Sequence, residues 1–384
     1  MRLKPPKPAI IALLALVAAA IAAAFIRGGE EQSGSGARPA SFDLSTDAGR
    51  PAVPGFSTRD LVAGAPPAQI PAILHPRFDS ARAASRLLRG TDPVLGVDVR
   101  GDARAYPTQL LALHEVVDDT VAGRPMAITW CPLCASGLVF DRRVAGRTLT
   151  FAASGFLLHS NLVLYDRQTR SLWSQVGAAG LTGPERGTRL RLLSAREESW
   201  RAWRAEHPRT RVLSIRHDRF ASRFLHPSTY VDNRGEESSA DPYLAYQQKI
   251  SIYHGSPIDG ISGDSRVVGL QLGGRAKAYP QQLVVRQHVL DDRFAGIPIA
   301  VVWSDRARAP AVFARRTGGR TLRLRWRRGA ISDSATGSRW SPVSGKAVAG
   351  RLEGASLRRL PFTLPYWFAW RALHPDTLIA RSSG

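Results

Sequence analysis

The chain holds two cysteines three positions apart, in Cys131-Pro132-Leu133-Cys134. Such a pair has several chemical uses. As a disulfide it closes a loop of about four residues, worth only about 2 kcal/mol of chain entropy, which makes a weak staple. As a dithiol couple it exchanges electrons with other thiols, provided a sulfur is reachable and its thiolate is stabilised. As a soft-metal site for copper or zinc it needs one or two further ligands, because two sulfurs do not fill a tetrahedral shell. Two unmodified buried thiols are the chemically silent option. Two cysteines also exclude a disulfide-dense scaffold, a four-cysteine zinc module and a cysteine-ligated iron–sulfur cluster within one chain.

Other residues could complete a site. His114 is a possible third metal ligand, and the adjacent Glu115 could orient its imidazole or act as a base. Ser154, His159, Ser160 and Asn161 lie in one short segment. Ser154 and Ser160 are nucleophiles by type only, since no Gly-x-Ser-x-Gly elbow surrounds either, and no phosphate-binding glycine loop occurs. The candidate redox or metal residues are therefore Cys131 and Cys134, with His114, Glu115, Ser154 and Asn161 in support.

An internal repeat singles these residues out. At an offset of 173, fifteen of thirty positions are identical between residues 101–130 and 274–303, including Ala105-Tyr106-Pro107 with Ala278-Tyr279-Pro280 and Trp130 with Trp303. The match resumes at an offset of 167 with Asp166/Asp333, Trp173/Trp340, Trp203/Trp370 and His207-Pro208/His374-Pro375, so the second copy has lost six residues between Phe151 and Asp166. What the copies share reads as scaffold. What the second copy lacks reads as a site: Cys131 and Cys134 become Ser304 and Ala307, His114-Glu115 becomes Gln287-His288, and the deletion falls at or beside residues 154–161.

The scaffold each copy implies is strand-rich. Residues 94–99 and 103–106 flank Gly101-Asp102 as a hairpin, and Pro107 suits the first turn of a short helix. Residues 126–130 form an apolar strand that ends at the cysteines, and hairpins follow around Ala145-Gly146 and between residues 162–166 and 171–174. Asp118-Asp119 recur as Asp291-Asp292 and read as turn residues before Gly123 and Gly296. Ser194 and Glu197 form a capping-box pattern ahead of a helix through Trp200 and Trp203. The fold class is α+β: two tandem pseudo-symmetric copies of one β-hairpin/short-helix unit after an N-terminal membrane segment. A thioredoxin-type helix after Cys134 is not expected, because Gly137 and the Ala145-Gly146 turn interrupt it.

That membrane segment is residues 9–26, eighteen consecutive apolar residues preceded by Arg2, Lys4 and Lys7. About 27 Å of helix nearly matches the hydrocarbon thickness, so residues 1–27 read as a signal anchor or a cleaved signal peptide, with all that follows outside the cytoplasm, or secreted if cleaved. Residues 28–65 read as a flexible linker, 66–215 as the first copy, 216–265 as a connecting segment and 266–384 as the degenerate second copy. The 384 residues, 44% hydrophobic, can bury a sizeable core. Their formal charge of +22 comes from 53 basic residues against 31 acidic, and only five of the basic residues are lysine. Export argues against nucleic acid as the partner. Alternation in residues 322–327 puts Arg323, Arg325 and Arg327 on one strand face, either solvated or suited to anionic lipid or wall polymer.

On these residues the chain resembles a bacterial family catalogued as domain of unknown function 3179. The resemblance is carried by Gly101-Asp102-Ala103-Arg104-Ala105-Tyr106-Pro107, His114-Glu115, Cys131 to Cys134, Phe140-Asp141-Arg142, Ser154-Gly155, Ser171 to Gln175, Asp241-Pro242-Tyr243 and Trp370 to Pro375. It implies a duplicated extracytoplasmic protein and transfers no activity. The family's usual Asn-Ser-Asp or Asn-Ser-Asn is His159-Ser160-Asn161 here, which lowers His159 as a ligand. The favoured expectation is thiol redox or soft-metal chemistry at the cysteines. Its alternative is a non-enzymatic cell-surface binding or scaffold protein with a structural dithiol clip; an enzyme built on His114, Glu115 and Ser154 or Asn161 is a third. No substrate or reaction follows from the residues.

Overall fold

The computed structural model describes residues 42–46, 53, 55–64, 70–218, 256–327 and 330–381. The apolar segment at 9–26, most of the linker and the connecting segment, and Asp241-Pro242-Tyr243 lie outside the described residues. No helix among the described residues is long and apolar enough to cross a membrane.

The architecture is strand-rich with few, short helices, as α+β requires. Strands Pro93–Val99 and Asp102–Pro107 pair antiparallel around Arg100-Gly101, both at positive φ, the conformation that suits a tight two-residue hairpin. Arg196–Ser199 borders this pair on one side, and Arg211–Leu213 and Phe78–Ser80 extend it on the other. A second sheet runs Leu192–Leu193, Ser136–Asp141, Arg124–Cys131, Val116–Val121. A third runs Leu61–Ala63, Phe151–Leu158, Asn161–Asp166, Leu172–Ser174, Ala179–Gly180. The helix Thr108–His114 links the first two sheets, and Trp200–Glu206 packs its tryptophans on the first.

Beyond residue 266 the same order of elements recurs. Val267–Leu272 pairs with Arg275–Pro280, the helix Gln281–Gln287 follows, and Val289–Phe294, Ile297–Ser304 and Ala309–Ala314 form the next sheet. Leu324–Arg327, Ala330–Asp333, Arg339–Trp340 and Ala347–Ala349 form a further sheet, and the helix Trp367–Leu373 comes near the end. Arg323, Arg325 and Arg327 are exposed while Leu322 and Leu324 are buried, as their alternation predicts.

The two halves dock on each other reciprocally. The Ser199 N–H donates to the Ala307 carbonyl and the Tyr366 N–H to the Cys134 carbonyl, each from the start of one half's tryptophan helix to the other half's turn. Trp367, Phe368, Ala369 and Trp370 thereby join the hydrophobic cluster that contains Cys131 and Cys134.

Three expectations are corrected. Asp118 and Asp119 are not turn residues but buried members of the strand Val116–Val121; the turn is Ala122-Gly123, both at positive φ. Arginines make their burial tolerable: Arg142 bonds Asp118 at 2.9 Å and Arg104 bonds Asp119. Burial still pushes the Asp118 carboxyl up to about 7 against the pull of Arg142. Second, the Ser194/Glu197 box does not form, because Arg196–Ser199 pairs as a strand with Pro93–Val99, and Ser199 precedes the helix without a side-chain cap. Third, Leu61–Ala63, placed in the linker, is a strand paired with Phe151–Leu158, so ordered structure begins before residue 66.

Gly96 shows how tightly sheet and helix meet. A Cβ there would lie 2.3 Å from Trp203 ring carbons, and one at Gly269 would lie 2.4 Å from the Trp370 ring. Neither a β-strand nor a clamped indole can give way by that much. Gly96→Ala and Gly269→Ala are each expected to lose about 1–3 kcal/mol or more in urea unfolding, the range for overpacking a close-packed core. A loss below about 0.5 kcal/mol at both positions would contradict the packing described.

Candidate functional site: a buried dithiol in a polar chain

Cys131 ends the strand Arg124–Cys131 and stands opposite Ser136, the first residue of Ser136–Asp141, so Cys134 lies in the turn between two antiparallel strands. Ala135 closes that turn at φ 49°. Both cysteines are free and buried, at 1% and 0% exposure. Their side chains lie within hydrogen-bonding reach of each other.

Cys134 sits at one end of an ordered polar chain. Asn161 Nδ2 donates to its Sγ at 2.7 Å, and the Val176 N–H holds Asn161 Oδ1 at 3.2 Å. On the other side Cys134 Sγ is 3.0 Å from Ser136 Oγ, whose hydroxyl donates to Gln175 Oε1 at 3.0 Å. Gln175 Nε2 in turn donates to Thr129 Oγ1 at 2.9 Å and to the Ser136 carbonyl, and the Thr129 hydroxyl donates to the Leu138 carbonyl at 2.8 Å. With Cys134 as a thiol, its S–H can point to Ser136 Oγ while the Ser136 hydroxyl points to Gln175 Oε1. Asn161 donates to the sulfur in either state, and the Ser136 hydroxyl can turn from Gln175 Oε1 toward it.

Cys131 has a different environment. Its sulfur is 4.0 Å from the Ser160 carbonyl, at the tip of the hairpin formed by Phe151–Leu158 and Asn161–Asp166. His159 and Ser160 make that tip at φ 51° and 62°, a two-residue turn with both centres left-handed. Burial, then the Cys134 side chain and the charge of Glu115, push the Cys131 thiol well above the usual thiol range. Glu115 follows the last residue of Thr108–His114 in a left-handed conformation and has its own carboxyl pushed up to about 8 by burial. The Glu115 charge is near enough to act on the Cys131 thiol, and a carboxyl raised in this way is a stronger base than an ordinary one.

Of the residues singled out from the sequence, Cys131, Cys134, Asn161 and Glu115 come together. His114 does not join them: its Nδ1 is 2.6 Å from the Pro71 carbonyl and its Nε2 2.9 Å from Asp218. Its neighbour Glu115 takes the opposite course because the backbone reverses there into a left-handed residue. Ser154 serves the backbone, donating to the Val163 carbonyl and accepting from the Phe156 N–H where the strand bulges between Ala153 and Leu157. Desolvation lowers the His159 imidazole, and no bond ties it to the cysteines among the described contacts. Among the described residues no three His, Cys, Asp or Glu side chains group closely enough to hold a metal ion. Cys131, Cys134 and His114 do not form such a group.

Thr129, Ser136 and Gln175 were not singled out, although a signal existed. At the matching positions of the second half they are Val302, Ala309 and Pro342, so the whole chain is apolar there. Register confirms the match: Ser304 stands opposite Ala309 as Cys131 stands opposite Ser136. The hairpin that carries Ser160 and Asn161 is also shorter in the second half: Leu324–Arg327 and Ala330–Asp333 pair like its base, with Arg327 opposite Ala330.

A protein-family model described as "Protein of unknown function (DUF3179)" matches residues 67–377. No curated protein and no solved structure matches the chain.

Proposed function

Because the chain belongs to a family of proteins of unknown function, DUF3179, membership names no activity, and we propose from the site alone that Cys131 and Cys134 form a thiol–disulfide redox couple. One observation carries this reading. Two free, buried thiols three residues apart are served by a polar chain through Asn161, Ser136, Gln175 and Thr129, and that chain is missing from the second half together with the sulfurs. Silent core thiols need no such chain, and burying amides and hydroxyls in a core is costly unless they are bonded. A soft-metal site has less support, since among the described residues no three His, Cys, Asp or Glu side chains group closely enough to hold a metal ion.

The chemistry is a two-electron exchange with a partner disulfide. The Cys134 thiolate attacks one partner sulfur, forming a mixed disulfide and releasing one partner thiolate. Cys131 gives its proton to the Glu115 carboxylate and attacks Cys134 Sγ, releasing the second partner thiolate. Those two thiolates take up the proton held by Glu115 and the one lost by Cys134. The protein loses two electrons and two protons, the partner gains both, and the reverse reaction reduces a partner. Both sulfurs are covered, by the Ser160 tip and by the start of Trp367–Leu373, so exchange passes through a locally opened state.

Two further parts of the reading follow from the sequence. The halves descend from one duplicated unit, and the second has lost the chemistry while keeping the scaffold. The couple works outside the cytoplasm, held at the membrane by residues 9–26, with the exposed arginines facing anionic lipid or wall polymer. The proposed redox activity is tested by mass spectrometry after exposure to oxidised dithiothreitol. The intact chain becomes lighter by about two mass units, regains them with reduced dithiothreitol, and neither Cys131→Ser nor Cys134→Ser does so.

A further inference from the structure

We infer that Arg266, which belongs to the second half, is a positioning residue that holds the Cys134 thiolate, so that the redox pair is a site of both halves; this rests on the redox reading above. Arg266 immediately precedes the strand Val267–Leu272 and reaches across to the turn of the first half. Its Nη2 donates to the carbonyl of Ala135, the residue after Cys134, at 2.8 Å. Its Nη1 and Nη2 grip Glu197 at 2.8 and 3.0 Å, and its Nε and Nη2 reach the Leu364 carbonyl at 3.1 and 2.8 Å. Two residues beyond Leu364, the Tyr366 N–H donates to the Cys134 carbonyl. The guanidinium is thus fixed in a fork against the cysteine turn, near enough for its charge and that of Cys134 to act on each other.

The opposite docking contact shows that this is more than glue between halves. The backbone bond is mirrored, since Ser199 N–H donates to Ala307 as Tyr366 N–H does to Cys134. The charged fork is not. The position matching Arg266 is Pro93 and the position matching Glu197 is Leu364. Arginine also lines the opposite contact, where Arg196 and Arg359 lie with Glu198 around Ala307, but an arginine at this position, forked onto the turn that follows the docking carbonyl, occurs only on the side that has the sulfurs. A cation held beside a sulfur stabilises its thiolate. Glu197 opposes that effect, as well as fixing the fork.

The test uses the full chain carrying Cys131→Ser, which leaves Cys134 as its single thiol and does not depend on redox cycling. Thiolate is read by ultraviolet absorbance against pH and by the rate of iodoacetamide alkylation. Arg266→Gln is expected to cut the thiolate at pH 7 about tenfold, the change for about one unit of lost charge stabilisation, and Arg266→Lys to restore most of it. Glu197→Gln is expected to shift thiolate the other way, upward, although it breaks the same ion pair. A purely structural fork would move both variants in one direction, or neither, and either result overturns the inference. Should Arg266→Gln not fold, the sign of the Glu197→Gln shift decides. A wild-type chain that fails to cycle while these shifts occur would count against the redox reading and leave the Arg266 assignment standing.

Discussion

Glu115→Gln is expected to slow oxidation of the dithiol by about a hundredfold, the low end of what a positioned general base contributes, and at the same time to make the fold more stable at pH 9. Both effects come from one carboxyl. Burial raises Glu115 from 4.5 to about 8 in the folded chain, so the folded state keeps a proton that the unfolded chain gives up near 4.5. Stability from this group is fully present below pH 4.5, falls as pH rises toward 8, and stays lost above 8. A glutamine carries no charge to desolvate, so the variant should lack that decline while also lacking the acceptor for the Cys131 proton. Denaturant melts at pH 5, 7 and 9, with oxidation rates on the same preparations, check both. Parallel stability curves for the two proteins, or an unchanged rate, would remove Glu115 from the site.

Arg104→Leu is expected to cost about 3–5 kcal/mol, the penalty for leaving a buried charge without its partner. Arg104 Nη1 lies 2.5 and 2.6 Å from the two oxygens of Asp119, and Tyr106 donates its hydroxyl to Asp119 Oδ2 at 2.5 Å. The side chains of Arg104 and Asp119 are only 8% and 5% exposed. The second half has the same arrangement in Lys277, Tyr279 and Asp292, but with Lys277 and Asp292 17% and 22% exposed. Water can replace a partner there, so Lys277→Leu is expected to cost about 1 kcal/mol. Urea melts of the two variants compare them directly; equal losses would mean that burial does not set the energetics of this repeated triad.

Much of the site was legible because the chain carries its own control. Cys131, Cys134, Glu115, Asn161, His114 and Ser154 were singled out by comparing residues 66–215 with the similar sequence after residue 266; Asn161 bonds Cys134 and the Glu115 charge acts on Cys131, whereas His114 and Ser154 have other partners. Thr129, Ser136 and Gln175 passed unnoticed because a threonine, serine or glutamine has no chemistry of its own to suggest, and only the bond pattern gives it a role. The same comparison would have found them as polar residues facing Val302, Ala309 and Pro342. Arg266 was missed because its partners Ala135 and Glu197 are distant in sequence and come together only when the halves dock.

Local cues failed where distant partners decided. Asp118-Asp119 signals a turn until Arg142 and Arg104, 24 and 15 residues away, neutralise the pair inside a strand. Ser194 and Glu197 spell a capping box, yet edge pairing with Pro93–Val99 takes that backbone and Arg266 takes the carboxylate. His114 and Glu115 looked like one functional unit. The left-handed residue at 115 separates them: the imidazole bonds Pro71 and Asp218, while the Glu115 charge acts on Cys131. The hairpins at Gly101, with the turn one residue earlier than Gly101-Asp102, and between Asn161–Asp166 and Leu172–Ser174 were readable because turn chemistry and alternation act within a few residues.

The claim that Cys131 and Cys134 interconvert as a couple is tested most directly by equilibrating the purified full chain in graded mixtures of reduced and oxidised dithiothreitol and counting free thiols by alkylation and mass. The account predicts a single two-electron transition between two free thiols and none, identical when approached from either side, and abolished by Cys134→Ser. Two thiols that stay free across the whole range, or a disulfide that no mixture reduces, would contradict it.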